Sequence, residues 1–240
     1  MRATNIKEQL RQLGNPAKAD HSAYFFKTGK GEYGEGDRFI GCTVPETRSV
    51  AKANRYTPLS ELEKLLADEM HECRLCALII LVEQFKQADE QQRKVIVDFY
   101  LTHTARINNW DLVDLSCYHI LGEWLKEKDD RTILYRLAAS SLLWEQRIAV
   151  VSTMAFIRNH AYEDTLRLSE IFLTHHHDLM HKACGWMLRE AGKRNEPVLT
   201  GFLDSYSTVM PRTMLRYAIE RLSPEQKQKY MQRPVHPTRI

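Results

Sequence analysis

With 240 residues, 43% hydrophobic and 27% charged, and only 10 glycines and 8 prolines, the chain is neither disordered nor fibrous; it is long enough for one substantial core or an extended stack of repeats. Its formal charge of +3 permits a nucleic-acid partner but lacks the footprint of a strongly basic binder. The 5 cysteines are odd in number and sit in apolar helical pattern (Cys73, Cys76, Cys117, Cys184) or near a loop (Cys42), which excludes a disulfide framework and fits a reducing cytosol. The opening MRATNIKEQLRQLG has no apolar secretory core, and no segment reaches the roughly 18 apolar residues of a membrane span. A soluble cytoplasmic protein with no membrane partner is expected.

In chain order, IKEQLRQL reads as a first helix, and KTGKGEYGEGDRFIG (27–41), rich in glycine and charge, as a long loop. Helical periodicity resumes in PETRSVAKAN, in LSELEKLLAD opened by Pro58 or Ser60, in HECRLCALIILVEQFK and in QQRKVIVDFYLTHT. Asn109 suits an N-cap before the helix WDLVDLSCYHILGEWL. Then come RTILYRLAAS, WEQRIAVVSTMAFIRN, EDTLRLSEIFLTH, DLMHKACGWMLREAGK with Gly192 near its end, PVLTGFLDSY and PRTMLRYAIERL, followed by a C-terminal tail over 223–240. No stretch alternates like a half-exposed strand.

The segments HECRLCALIIL (71–81), WEQRIAVVSTM (144–154) and LMHKACGWMLR (179–189) each set a basic residue, Arg74, Arg147 or Lys182, just ahead of a small apolar run. A period of roughly 35 residues per helix pair is what stacked α-solenoid repeats require, since one pair cannot bury its apolar face alone. The expected fold is therefore an all-α solenoid of HEAT-like repeats, a single domain over 1–240, curved with one concave face. Corresponding helices would line that face and bring Trp110, Asp114, Arg147 and Trp186 to one side.

In ARINNWDLVD (105–114), Trp110 and Asp114 stand four residues apart, so indole and carboxylate project from one helix face. Either Trp110 packs in the core while Asp114 bonds a neighbouring helix end, or the pair faces a ligand. Arg147 is open to two readings, a solvated arginine paired with Glu145 or an anion contact, and Trp186, after Gly185 in an apolar run, could pack between helices. Two metal-like patterns are set aside. Cys73 and Cys76 form C-x-x-C inside a buried-looking helix without a βαβ context, and His177 and His181 lack both the intervening glutamate and a third ligand. No metal and no cofactor is expected.

Taken together and in order, NNWDLVD, WEQRIAVV, KACGWMLRE and PRTMLRYAIERL resemble the DNA alkylation-repair glycosylases built from HEAT-like helical repeats, over about residues 20–222. The loop at 27–41 is similar to one branch of that family. The resemblance implies hydrolysis of the N-glycosidic bond of cationic alkylpurines, 7-methylguanine and 3-methyladenine, in duplex DNA, without extrusion of the base. It implies Trp110 and Trp186 as aromatic walls around the deoxyribose, Asp114 as the catalytic carboxylate and Arg147 as a phosphate contact. Lys182 and Arg189 bracket Trp186 at i−4 and i+3 and either approach phosphates or form a solvated face. Tyr24, in AYFFKT, borders the DNA by the same resemblance, with core packing as its alternative. The residue types suit the chemistry: a carboxylate favours the positive charge that builds on the sugar, and indole faces add a cation–π term. The expected partner is duplex DNA and the default state a monomer. Two rivals are kept, a non-catalytic repeat protein binding distorted or branched DNA and a protein-binding solenoid scaffold.

Overall fold

Residues 1–232 are described by a computed structural model, in which the chain divides into two compact units, Met1–Ile120 and Leu121–Ile240. Among the described residues every regular element is helical; the one β pairing is an isolated bridge between Arg38 and Met70.

In the first unit, α1 (Ala3–Leu13) is followed by α2 (Pro16–Phe25), which the sequence pattern did not announce because none of its residues is buried. Its start is chemical: Asn15 Oδ1 accepts the Lys18 N–H at 3.1 Å, and Pro16 supplies a helical φ at the first position. The loop 27–41 then runs to Gly41, whose φ of 89° and whose approach to the Asn15 carbonyl, 2.0 Å from where a Cβ would sit, admit no side chain. A Thr43–Glu46 capping box opens α3 (Val44–Ala53), Pro58 precedes α4 (Leu59–Leu66), and an Asp89–Gln92 box opens α6 (Glu90–Thr102). Between these, α5 (His71–Gln87) is the central helix, buried from His71 through Val82 and packed against α1, α3, α4, α6 and α7 (Trp110–Cys117). A helix buried on every side shows no single apolar stripe.

The helix expected from Trp110 runs on without a gap to Leu125, through a π-helical segment, Tyr118–Gly122, into the short α8 (Glu123–Leu125). The second unit continues with α9 (Thr132–Ala138), α10 (Leu143–Ser152), α11 (Met154–Arg158) and α12 (Glu163–Ile171). The break between α10 and α11 falls at Thr153, whose hydroxyl donates to the Val150 carbonyl at 2.7 Å and so competes with the helix ladder. The central element here is α13 (Asp178–Arg194), packed against α10, α11, α12, α14 (Glu196–Tyr206) and α15 (Arg212–Ala218). Gly185 makes its closeness to α15 possible: a Cβ would lie 2.5 Å from both the Met214 carbonyl oxygen and the Tyr217 Cβ. Gly192 falls in the last turn of α13, near its end as expected. Part of the expected tail is helical, α16 (Pro224–Met231), opened by a Ser223–Gln226 box; residues 233–240 lie outside the described residues. Rows of successive contacts, α3–α5–α7 in one unit and α10–α13–α15 in the other, give each the layering of an α-solenoid.

Candidate active site

The start of α7 is fixed from several directions. Asn109 is its N-cap, accepting the Trp110 N–H at 2.8 Å, and Asp111 Oδ1 accepts the Leu112 N–H at 2.8 Å. The half-buried Trp110 ring lies 5.3 Å from Phe26 and meets Phe25 edge-on at 6.0 Å, while its Nε1 donates to Tyr33 Oη at 3.3 Å. Asp114 follows one turn later on the same face and is likewise only half-buried. Indole and carboxylate therefore share one face of α7, and both keep access to solvent.

Beneath this helix start lies a buried charge network. His71, 2% exposed, donates from Nδ1 to Asp37 Oδ2 at 2.9 Å and from Nε2 to Asp111 Oδ2 at 2.8 Å. Arg74 pairs with the other Asp37 oxygen and donates to the Asp68 and Glu69 carbonyls at 2.9 and 3.2 Å. Burial works against charge on His71, but Asp111 and then Asp37 outweigh it and raise its pKa to about 9. Burial would likewise raise Asp37, yet its bond from His71 and the Arg74 charge hold it below the usual carboxylate range. The imidazolium lies against Phe39 at 4.7 Å and Phe26 at 5.2 Å, two rings that also stack on each other at 5.3 Å, and Phe26 in turn touches Trp110. Glu72 secures the end of the loop by accepting the backbone N–H groups of Ile40, Gly41 and Cys42 at 2.9, 2.7 and 3.2 Å. A hollow of about 420 Å³, lined by Phe26, Phe39, Cys42, His71, Glu72 and Asp111 among others, opens beside the network.

In the second unit, Trp186 is half-buried on α13, with Lys182 and Arg189 near it in the helical repeat. Lys182 pairs with Asp178 at 2.8 Å; Arg189 pairs with Glu220 and lies 3.8 Å from Glu190. Arg147, on α10, is only 5% exposed and donates from Nη1 to the Leu179 carbonyl at 2.6 Å, which corrects its reading as a solvated surface arginine. Tyr24 is 86% exposed, so core packing is the wrong alternative for it. Cys73 and Cys76 are wholly buried, and burial pushes the Cys76 thiol up to about 12. His177 serves as the N-cap of α13, accepting the Leu179 N–H at 3.1 Å.

Sequence reasoning missed Asp37, His71, Arg74 and Asp111 as a group. His71 lies 34 residues from Asp37 and 40 from Asp111, separations at which no local spacing rule operates. The only local signal was a histidine and an arginine at i,i+3 opening an otherwise apolar helix.

Fold and site together define an all-α protein of layered helical repeats whose α7 helix presents an indole and a carboxylate on one accessible face. The chain belongs to the DNA alkylation repair enzyme family, whose model matches residues 6–222. Membership makes it an enzyme of DNA repair directed at alkylation damage. Among solved structures it is similar to one described as a predicted DNA alkylation repair enzyme from Enterococcus faecalis, at 17% identity and a TM-score of 0.69, over 88% of this chain and 98% of that one. That likeness bears on the fold. A search of curated proteins gave no match. No helix among the described residues is long and apolar enough to cross a membrane.

Proposed function

We propose that the protein is a DNA glycosylase that hydrolyses the N-glycosidic bond of cationic alkylpurines, 7-methylguanine and 3-methyladenine, in duplex DNA. The observation that carries this reading is the pairing of Trp110 and Asp114 on one accessible face of α7, with the helix start clamped by the His71–Asp111 contact. An alkylated purine already carries ring charge and leaves readily, so the barrier lies in the positive charge that builds on the deoxyribose. Asp114 opposes that charge with a fixed anion and orients the attacking water. The Trp110 ring, braced from behind by Phe25 and Phe26, offers its electron-rich face and contributes about 0.5–2 kcal/mol as the sugar becomes cationic. No step calls for a metal or cofactor.

For the second unit, the family resemblance assigns Trp186 a contact to deoxyribose and Lys182 and Arg189 contacts to the DNA backbone; Arg147, 5% exposed and bound to the Leu179 carbonyl, takes its assigned phosphate contact only on leaving that carbonyl. For the first unit, it assigns Tyr24 to the border of the DNA. These roles rest on the family resemblance. Acting on the sugar and not on the base edge accords with excision without extruding the base, against the general habit of base-excising enzymes.

The test is release of 7-methylguanine from methylated duplex DNA. Asp114→Asn is expected to slow single-turnover release by about 10²–10³-fold while duplex affinity stays within about threefold. Trp110→Ala is expected to lower both rate and affinity. Equal release by Asp114→Asn and the parent protein removes the carboxylate from the mechanism, and no release by the parent protein removes the glycosylase reading.

A further inference from the structure

A second concavity in the first unit lies away from the α7 face. Helix α5 has 17 residues, with His71 first and Gln87 last; at about 1.5 Å per residue its two ends are roughly 24 Å apart. At the Gln87 end an open trough of about 460 Å³ runs past Tyr56, Leu59, Val95 and Ile96. It shares Arg55, Tyr56, Glu83 and Gln87 with a neighbouring hollow of about 500 Å³ that Arg48 and Lys52 border.

The two halves differ in chemistry. The apolar half leaves Val95 52% and Tyr56 74% exposed, and the Arg55 guanidinium stacks 4.6 Å from the Tyr56 ring centroid. In the other half, Arg48 and Lys52 stand one turn apart on α3, exposed and with no ion pair to a carboxylate of the described residues. Glu83, the acid in the lining, is bound to Lys86 at 2.6 Å, which leaves the cations dominant.

We propose that this trough docks an acidic peptide segment of a partner protein, its carboxylates on Arg48, Lys52 and Arg55 and a following apolar side chain between Leu59, Val95 and Ile96. Charge complementarity selects this occupant. A phosphate backbone would use the cations and leave the apolar half bare, whereas an acidic–apolar peptide uses both. The chain's own residues 233–240 include Arg233 and Arg239 and no acid, the wrong charge for this surface. The distance from His71 along α5 allows peptide and DNA to be held together. The inference does not depend on the glycosylase reading.

The experiment is fluorescence anisotropy with a labelled peptide of four aspartates followed by leucine and phenylalanine. Its controls are one peptide with asparagines for the aspartates and one with serines for the two apolar residues. The full chain is expected to bind the first peptide and neither control. The Arg48→Glu, Lys52→Glu double variant and Val95→Asp are each expected to weaken binding by roughly tenfold or more, with duplex affinity unchanged. Should Val95→Asp fail to fold, Val95→Ser at the same position is expected to weaken binding about threefold. Equal binding of all three peptides, or no effect of the charge reversals, overturns the proposal. So does loss of duplex affinity in the double variant without peptide binding, which would make the surface one for nucleic acid.

Discussion

At the scale of single residues, His71 has the most measurable behaviour. Its pKa is raised from an ordinary 6.5 to about 9 in the folded protein, so its contribution to stability is fully present below pH 6.5 and is lost as the pH rises through about 9. A shift of this size corresponds to something on the order of 3 kcal/mol. Urea unfolding between pH 6 and 10 should therefore show the gap between the parent protein and His71→Gln closing with rising pH. A gap that stays constant across that range would mean the imidazolium is not what ties Asp37 to Asp111. Asp37 acts on the acid side with the opposite sign: its depressed pKa gives stability that is present above about pH 4 and lost as the pH falls through the folded value. Near neutrality the cluster holds two carboxylates against His71 and Arg74, a balanced set. That balance is what makes burying these charges tolerable, and it explains why losing one partner costs more than the pair itself contributes.

At the scale of elements, packing is decided by small residues at crossing points. Adding a methyl at Gly185 would place it 2.5 Å from the Met214 carbonyl oxygen and Tyr217 Cβ, so α15 must move away from α13. Gly185→Ala is expected to cost about 1–3 kcal/mol and to lower the melting temperature by several degrees. Gly201→Ala in α14 has nothing within 4 Å of the added carbon and should instead leave stability unchanged or raise it by up to about 1 kcal/mol. Calorimetric melts of the two variants check both, and a neutral Gly185→Ala would mean the helices have room to spare. The same physics decides what could be read from the amino-acid order. Most helices were legible because their buried faces repeat every 3.6 residues, as was the glycine-rich loop. Helix α2 was not, since it buries nothing, and neither the π winding at Tyr118–Gly122 nor the break at Thr153 was, since a π segment and a hydroxyl back-bond leave the apolar pattern intact. Trp110 and Asp114 were legible as a pair because they are one turn apart on one helix. The clamp beneath them was invisible because Asp37, His71 and Asp111 come from a loop and two helices that only folding brings together.

At the scale of the whole molecule, the charge budget constrains how DNA can be held. The chain carries 34 lysines and arginines against 31 acids, so attraction to a polyanion cannot come from net charge and must come from particular cations. Around Trp186 those cations are engaged: Lys182 with Asp178, Arg189 with Glu220. Exposed ion pairs of this kind are worth only about 0–1 kcal/mol, so a phosphate can displace the carboxylate at little cost. On the proposed reading, each such exchange releases counterions from the duplex, and each phosphate contact adds about 0.9 to the slope of log affinity against log salt. Replacing both Lys182 and Arg189 by alanine should therefore lower that slope by nearly 2, measured by anisotropy of a labelled duplex between 50 and 200 mM salt. Glu220→Gln should act in the opposite direction, raising affinity at low salt because Arg189 no longer has to leave a carboxylate. A slope unchanged in the double alanine variant would confine Lys182 to its pair with Asp178 within α13 and Arg189 to tying α13 to Glu220, and DNA binding would have to be sought on other cations.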